Sequence, residues 1–133
     1  MQSIKVSVLI SGSGTNLEAL LTAIEEKALP ARVVQVISSN EEAYGLVRAQ
    51  KHSIPWRVLA SSSDSSQLTG WLKAYNTDLV VLAGYLKKIP DEVLAAYENR
   101  IINIHPSLIP AFAGPGWYGM KVHEGVWKRG VKV

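Results

Sequence analysis

The sequence predicts a doubly wound α/β domain, in which a mostly parallel sheet lies between helices on its two faces. Short runs rich in β-branched residues alternate along the chain with stretches of helical pattern, and this alternation is typical of βαβ units. The strand-like runs are almost continuously apolar, as expected of strands that are covered on both faces. A length of 133 residues, 47% of them hydrophobic, suits one domain over residues 1–133 with its own core.

Each predicted strand is a short apolar run, and each predicted helix follows one of them. The predicted strands are 5–10, 31–38, 56–59, 78–84 and 100–104. The predicted helices are 16–28, 41–52, 65–76 and 90–99. The third helix begins at serines that can cap it. The fourth has Pro90, Asp91 and Glu92 in its first turn, where proline and acidic residues favour a helix start.

The last part of the chain continues the same alternation less clearly. A loop rich in proline and glycine is predicted at 106–117. A further helix is predicted near 119–129, and the final residues "VKV" (131–133) are interpreted as the opening of another strand.

Three loops are candidates for ligand binding. Folds of this class bind ligands beyond the carboxyl ends of their parallel strands. Given the predicted strands, this rule selects residues 11–16, 83–89 and 103–116.

Composition excludes several kinds of site and partner. The chain has no cysteine, which excludes disulfides and thiolate metal sites, and its three histidines lack the spacing of metal ligands. No stretch approaches the ~20 apolar residues of a membrane span. The net charge is +3, but no basic run is interleaved with aromatic residues, which favours small anionic ligands over nucleic acid. We therefore expect a cytoplasmic protein without a metal.

A glycine-containing turn, "ISGSGTNLEAL" (10–20), joins the first predicted strand to the first helix. Gly12 and Gly14 allow positive φ angles and a close approach of a ligand to the backbone. Ser13, Thr15 and Asn16 supply hydroxyl and amide donors, and the helix start adds free N–H groups that favour a phosphate. The turn lacks both the third glycine of a dinucleotide fingerprint and the end of a P-loop, so we expect one terminal phosphate, such as a phosphoribosyl group. The alternative is a glycine turn capped by Asn or Thr.

The fifth predicted strand ends in two polar residues, Asn103 and His105, which share one face because they are two residues apart. The amide can donate to a developing oxyanion, and the imidazole can donate or move a proton near neutral pH. Pro106 and Pro110 stiffen the loop that follows. The alternative is a strand end capped by asparagine, with a structural histidine beside it.

Three motifs together resemble those of the phosphoribosylglycinamide formyltransferases. They are "SGSGTNL", "VLAGYLKKIP" and "NIHPSLIPAFAG", and the resemblance runs from residue 5 to the last residue. The third motif is similar to that of the wider group of 10-formyltetrahydrofolate hydrolases and transferases, and the first narrows the resemblance to enzymes acting on glycinamide ribonucleotide. The resemblance implies a Rossmann-like formyltransferase fold. It also implies transfer of a formyl group from 10-formyltetrahydrofolate to the amine of 5-phosphoribosylglycinamide in de novo purine biosynthesis.

The resemblance also implies roles for individual residues. The substrate phosphate would be held by Gly14, Thr15 and Asn16, with the neighbouring Gly12 and Ser13. The folate site would be lined, mainly through backbone, by Leu86, Lys87, Lys88 and Ile89, with Asn103 beside them. Asn103 and protonated His105 would hold the tetrahedral oxyanion and assist proton transfer. Lys87 and Lys88 would either attract the glutamate tail of the folate or only keep the surface soluble.

One departure concerns the end of the chain. The resemblance implies an essential aspartate beyond the point at which this sequence stops, so His105 would lack that orienting partner here, and we keep open that the 133-residue chain alone is inactive. We therefore expect residues 1–133 to be the N-terminal part of a longer enzyme, lacking C-terminal strands and a helix. Two alternatives stay open: a formyltetrahydrofolate deformylase, in which water replaces the amine, and a non-catalytic module that binds a phosphoribosyl ligand. The expected partners are the two small-molecule substrates, without nucleic acid or membrane, in a monomer or homodimer.

Overall fold

Strands and helices alternate along the computed structural model, which describes residues 3–59, 65–104 and 120–122. The strands are β1 (Ile4–Ile10), β2 (Ala31–Ser38), β3 (Trp56–Val58), β4 (Leu79–Ala83), β5 (Ile101–Ile104) and β6 (Met120–Val122). The helices are α1 (Thr15–Glu26), α2 (Tyr44–Lys51), α3 (Ser65–Ala74) and α4 (Asp91–Ala96). The five strands and four helices predicted up to residue 104 are confirmed, with ends that shift by a few residues.

The six strands form one sheet in the order β3-β2-β1-β4-β5-β6. The pairs among β1 to β5 are all parallel, whereas β6 runs antiparallel to β5. The chain builds outward from β1 to β3 on one side and then returns to add β4 and β5 on the other side. The strand order therefore reverses between β1 and β4, and this is the position at which open α/β sheets bind ligands.

Two hydrophobic clusters cover the two faces of the sheet. On one face, Leu17 of α1 and Leu46 of α2 pack against Val8 of β1. On the other face, Leu68 of α3 packs in a cluster that includes Leu9, the next residue along β1. These successive residues of β1 thus enter opposite clusters and both are fully buried, which is why the strand ends in an unbroken apolar run over 8–10.

The start of α2 lies later than the sequence pattern predicts. A helix over 41–52 was expected, but the backbone N–H of Glu42 donates to Oδ1 of Asn40 at 3.0 Å, and the N–H of Ala43 donates to the Asn40 carbonyl at 3.1 Å. These bonds form a turn that asparagine stabilises through its side chain, so the helix begins only at Tyr44.

The predicted helix near 119–129 is wrong over residues 120–122, which form β6. This strand pairs with β5 through Ile102 and Val122, Asn103 and Lys121, and Ile104 and Met120. Without it, β5 would expose a row of unpaired backbone groups, and pairing satisfies them. The rest of that prediction and the strand predicted at 131–133 lie outside the described residues.

Candidate functional site

The carboxyl ends of β1, β4 and β5 lie side by side, because these parallel strands are neighbours in the sheet. The strands end at nearly the same height in the sheet, because Leu9 pairs with Leu82 and Leu82 pairs with Asn103. The loops that follow β1, β4 and β5 therefore leave the sheet at one edge, beside the reversal of strand order. The three loops selected from the sequence begin at this edge.

The loop after β1 ends at Gly14, which is the N-cap of α1 and has a left-handed backbone (φ 78°, ψ 19°). In the described structure no side chain caps α1, which argues against a turn capped by Asn or Thr. Within that same part of the chain, no hydrogen-bond acceptor pairs with the N–H groups of Ser13, Gly14, Thr15, Asn16 and Leu17. Free N–H groups at the positive end of a helix dipole suit an anion such as a phosphate.

One side of this glycine loop is open and the other is supported. Gly12, Ser13 and Thr15 are exposed, and a Cβ atom at Gly12 would meet nothing within 4 Å. Gly14 is buried instead, and a Cβ atom there would lie 2.5 Å from the Cα atom of Gly45 in α2. A ligand can therefore approach only the side of the loop that faces away from α2.

Asn16 links the glycine loop to the end of β5 and lies near the start of the loop after β4. Its side chain is 7% exposed, and Nδ2 donates to the carbonyl oxygen of Ile104 at 3.5 Å. A Cβ atom at Gly84, just after β4, would lie 3.8 Å from the same Nδ2. Among the described residues no donor reaches the buried Oδ1 of Asn16, and a buried acceptor without a partner calls for an explanation such as a missing ligand. One of the two N–H donors of the Asn16 side chain is thus used, while the backbone N–H and Oδ1 have no partner among the described residues and are available to a ligand.

Ser11 ties the loop after β4 to the end of β1. Its Oγ accepts a hydrogen bond from the backbone N–H of Leu86 at 2.8 Å and shares another with Oγ of Ser39 at 2.6 Å. Ser11 lies within the range 11–16 selected from the sequence, but no role of its own was predicted for it. The available signal was a serine that directly follows the apolar end of a strand, where a polar group must find partners.

The four residues expected to line a folate site differ in exposure. Leu86 is 83% exposed and Ile89 is 8% exposed, with Lys87 and Lys88 exposed between them. Ile89 packs in the cluster beneath α3 and α4, so only its backbone is free to face a ligand. An apolar side chain as exposed as Leu86, at the edge where three loops begin, is available to contact the flat ring of a ligand.

Asn103 is exposed although its neighbours Ile102 and Ile104 are buried. The alternation of side chains along β5 produces this difference, because only Asn103 of the three points away from the cluster that contains Ile102 and Ile104. In the described part of the chain, no hydrogen bond holds the Asn103 side chain, so the amide is free to donate. His105, its expected partner, lies outside the described residues.

Burial affects one ionisable group of the loop after β4. Tyr85 is half-buried, and its desolvation raises the pKa of the phenol above the ordinary value. Tyr85 therefore stays neutral at physiological pH and serves as a packing residue with a polar tip.

Metal sites and membrane spans were also sought in the described ranges. Residues 3–59, 65–104 and 120–122 contain no group of three His, Asp or Glu side chains placed to hold a metal ion. In the same ranges, no helix combines the length and the apolar character that crossing a bilayer requires.

Comparisons with known proteins agree on one family. A family model described as "Formyl transferase" matches residues 4–133. The phosphoribosylglycinamide formyltransferase of Haemophilus influenzae is 38% identical over 135 residues, which cover 97% of this chain and 64% of that protein. The chloroplastic phosphoribosylglycinamide formyltransferase of Vigna unguiculata is 37% identical over 134 residues, which cover 96% of this chain and 43% of that protein.

A solved structure shows the same fold. The crystal structure of glycinamide ribonucleotide transformylase 1 from Symbiobacterium toebii is 42% identical and has a TM-score of 0.73. The match covers 98% of this chain and 62% of the solved chain. The chain thus matches over nearly its whole length but spans less than two thirds of these relatives.

Proposed function

The chain belongs to the formyl transferase family, and we propose that it transfers a formyl group from 10-formyltetrahydrofolate to the amine of 5-phosphoribosylglycinamide, a step of purine biosynthesis. The two substrates are its expected partners. Its compartment is proposed to be the cytoplasm, although the relative from Vigna unguiculata is named as chloroplastic.

One observation carries this proposal: the hydrogen bond from Asn16 to the carbonyl of Ile104, which places the phosphate-suited loop beside the end of β5. Asn103, whose side-chain amide has no hydrogen-bond partner among the described residues, directly precedes Ile104. A phosphorylated substrate anchored at the start of α1 would therefore extend along the edge toward Asn103. Anchoring a substrate in this way supplies proximity and orientation to the reacting group.

The chemistry assigned to this edge is acyl transfer. The amine nitrogen of the ribonucleotide forms a bond to the formyl carbon, whose oxygen gains negative charge in a tetrahedral intermediate. The side-chain N–H of Asn103 donates to that oxygen, and one such donor contributes roughly 10²–10³ in rate. The bond between the formyl carbon and N10 of the folate then breaks. The attacking nitrogen loses a proton and N10 gains one, and we assign this transfer to His105.

The folate is assigned to the loop after β4. The Leu86 side chain is free to contact the pterin ring, while the Ser11 hydroxyl holds the Leu86 backbone N–H in place. Lys87 and Lys88 follow on the exposed side, where a polyglutamate tail would meet their positive charge. This arrangement would bring the formyl carbon between the folate loop and Asn103.

The test is formyl transfer between the two substrates, followed by the change in folate absorbance. We compare the unmodified chain with Asn103→Ala and with the control Gln50→Ala, which removes an exposed amide from α2. We expect turnover that requires the ribonucleotide, is unchanged in the control and falls at least about 10²-fold in Asn103→Ala. Turnover of formyl-folate without ribonucleotide would replace the proposal with the deformylase. Binding of the ribonucleotide without turnover would replace it with the binding module.

A further inference from the structure

The glycine loop is held from behind by α2, through two successive backbone carbonyl groups. The N–H of Gly45 donates to the carbonyl oxygen of Gly12 at 3.1 Å. Nε of Arg48, one turn further along α2, donates to the carbonyl oxygen of Ser13 at 2.8 Å. Both contacts join segments more than 30 residues apart in sequence, so only the folded sheet brings them together.

These two bonds determine where the following N–H groups point. The carbonyl of one residue and the N–H of the next point in opposite directions across a trans peptide plane, and no peptide bond here is cis. Because the Gly12 and Ser13 carbonyls point toward α2, the N–H groups of Ser13 and Gly14 point away from it. That is the open side of the loop, next to the first N–H groups of α1, which have no acceptor among the described residues.

Arg48 is itself held in this position by two further contacts, with Glu18 and Tyr44. Its Nη1 lies 3.5 Å from a carboxylate oxygen of Glu18, and its guanidinium stacks 5.0 Å from the centre of the Tyr44 ring. The carboxylate of Glu18 is held in turn by Nε2 of His52 at 3.0 Å. The planar fork of an arginine suits several simultaneous contacts of this kind better than the single ammonium of a lysine.

Gly45 lets α2 come close enough for both bonds. A Cβ atom at Gly45 would collide with Cδ1 of Ile10 and lie 3.2 Å from the Cα atom of Gly14. The backbones of α2 and the glycine loop therefore touch directly, and Arg48 completes the support at the next peptide.

We infer that Arg48 is a positioning residue for the phosphate site: by holding the Ser13 carbonyl, it turns the Gly14 N–H toward the bound phosphate. Arg48 lies behind the loop and does not touch the ligand. The inference rests on the proposed function, because it assumes that the glycine loop binds the phosphate of the ribonucleotide. Its chemical consequence is that loss of Arg48 lets the peptide between Ser13 and Gly14 rotate and withdraws one donor from the phosphate.

The test compares Arg48→Met with Lys51→Met. Both variants remove one positive charge from α2, but Lys51 contacts Tyr44 and not the loop. The first readout is the NMR order parameter of the Gly14 N–H in the free protein. We expect a rigid value of about 0.85 in the unmodified chain and in Lys51→Met, and a value below about 0.6 in Arg48→Met. Arg48→Lys keeps one donor and should restore part of the order.

The second readout is the affinity for glycinamide ribonucleotide by calorimetry. We expect Arg48→Met to weaken binding about tenfold and Lys51→Met to change it less than twofold. An unchanged Gly14 order parameter in Arg48→Met would overturn the inference, and so would equal losses of affinity in the two methionine variants. If the unmodified chain does not bind the ribonucleotide, the proposed function fails. A lower order parameter of the Gly14 N–H in Arg48→Met, with no change in Lys51→Met, would then still support the role of Arg48 in orienting the Ser13–Gly14 peptide.

Discussion

Nδ2 of Asn16 donates to the carbonyl oxygen of Ile104 at 3.5 Å, and this bond joins the first turn of α1 to the last residue of β5. The two residues are separated by 88 positions in sequence, and they meet because β4 lies beside β1 in the sheet and β5 lies beside β4. The carboxamide is buried, yet its Oδ1 finds no donor among the described residues. The side chain thus serves both as a link between loops and as an acceptor available to a ligand.

Asn16→Leu removes both roles at once, and its effects on stability and on ligand affinity are measured separately. The variant loses a long hydrogen bond but also removes a buried acceptor without a partner, so the free energy of unfolding should change by less than about 1 kcal/mol. The affinity for glycinamide ribonucleotide should fall at least about tenfold, because Oδ1 is lost and the loop is no longer tied to β5. Urea unfolding and calorimetry measure the two quantities. An affinity equal to that of the unmodified chain would show that Asn16 is only structural.

Gly14→Ala should destabilise the protein by about 1–3 kcal/mol, because the φ angle of 78° is unfavourable for alanine. The added Cβ atom would also lie 2.5 Å from Gly45. Gly70→Ala is the matched control: Gly70 lies within α3, and a Cβ atom there meets nothing within 4 Å. That control should be stabilising by about 0.5–1 kcal/mol. Urea unfolding of both variants measures these changes. A Gly14→Ala protein as stable as the parent would contradict the left-handed backbone of Gly14 and its close approach to Gly45.

Ser11→Ala should loosen the loop after β4. The backbone N–H of Leu86 loses its acceptor and Oγ of Ser39 loses its partner, which should lower the free energy of unfolding by about 1 kcal/mol. Hydrogen exchange of the Leu86 amide should become about fivefold faster, since about 1.4 kcal/mol would be needed for a factor of ten. Ser13→Ala, which removes an exposed hydroxyl, is the control. Equal exchange rates at Leu86 in both variants would exclude the Ser11 bond.

Two tyrosines should titrate in a fixed order. A hydrogen bond from Lys51, followed by the charge of Lys51, lowers the pKa of Tyr44, whereas burial raises the pKa of Tyr85. Tyr44 should therefore ionise first and Tyr85 later, which NMR of ¹³C-labelled tyrosine rings can follow. Lys51→Met should raise the pKa of Tyr44 and leave Tyr85 unchanged. The reverse order of ionisation would contradict the contacts of both rings.

The raised pKa of Tyr85 also has a consequence for stability. Its folded form holds the proton more tightly than its unfolded form, so its contribution is complete below the ordinary tyrosine pKa of about 10. That contribution is lost as the pH rises through the folded pKa. Urea unfolding above pH 10 should therefore show a smaller decline in Tyr85→Phe than in the parent.

The sequence was sufficient to predict the strands and turns that depend on residues close together in the chain. Strands such as β2 were predicted with their observed ends, because a continuous apolar run bounded by turn residues indicates a buried strand without knowledge of its neighbours. The glycine loop was predicted because Gly14 needs a left-handed backbone and the helix follows at once. These features express local conformational preferences, and local preferences can be read from local sequence.

Features that depend on distant contacts were missed. The contact of Arg48 with Ser13 spans 35 positions, and no pattern around Arg48 distinguishes it from a surface arginine. A buried polar cluster was missed for the same reason: Ser7, Gln35 and Thr77 share hydrogen bonds of 2.7 and 3.0 Å within the packed layers. β6 was predicted as helix because a run of three residues is too short to show a strand pattern, and its conformation comes from pairing with β5.

An NMR titration of the isotope-labelled chain with glycinamide ribonucleotide tests the central claim most directly. The claim is that one ligand occupies the edge between the start of α1 and Asn103. The backbone amides of Ser13 to Leu17 and the side-chain NH₂ of Asn103 should shift together and give one dissociation constant. Shifts of the loop amides with no response at Asn103, or shifts confined to the opposite edge of the sheet, would contradict the account.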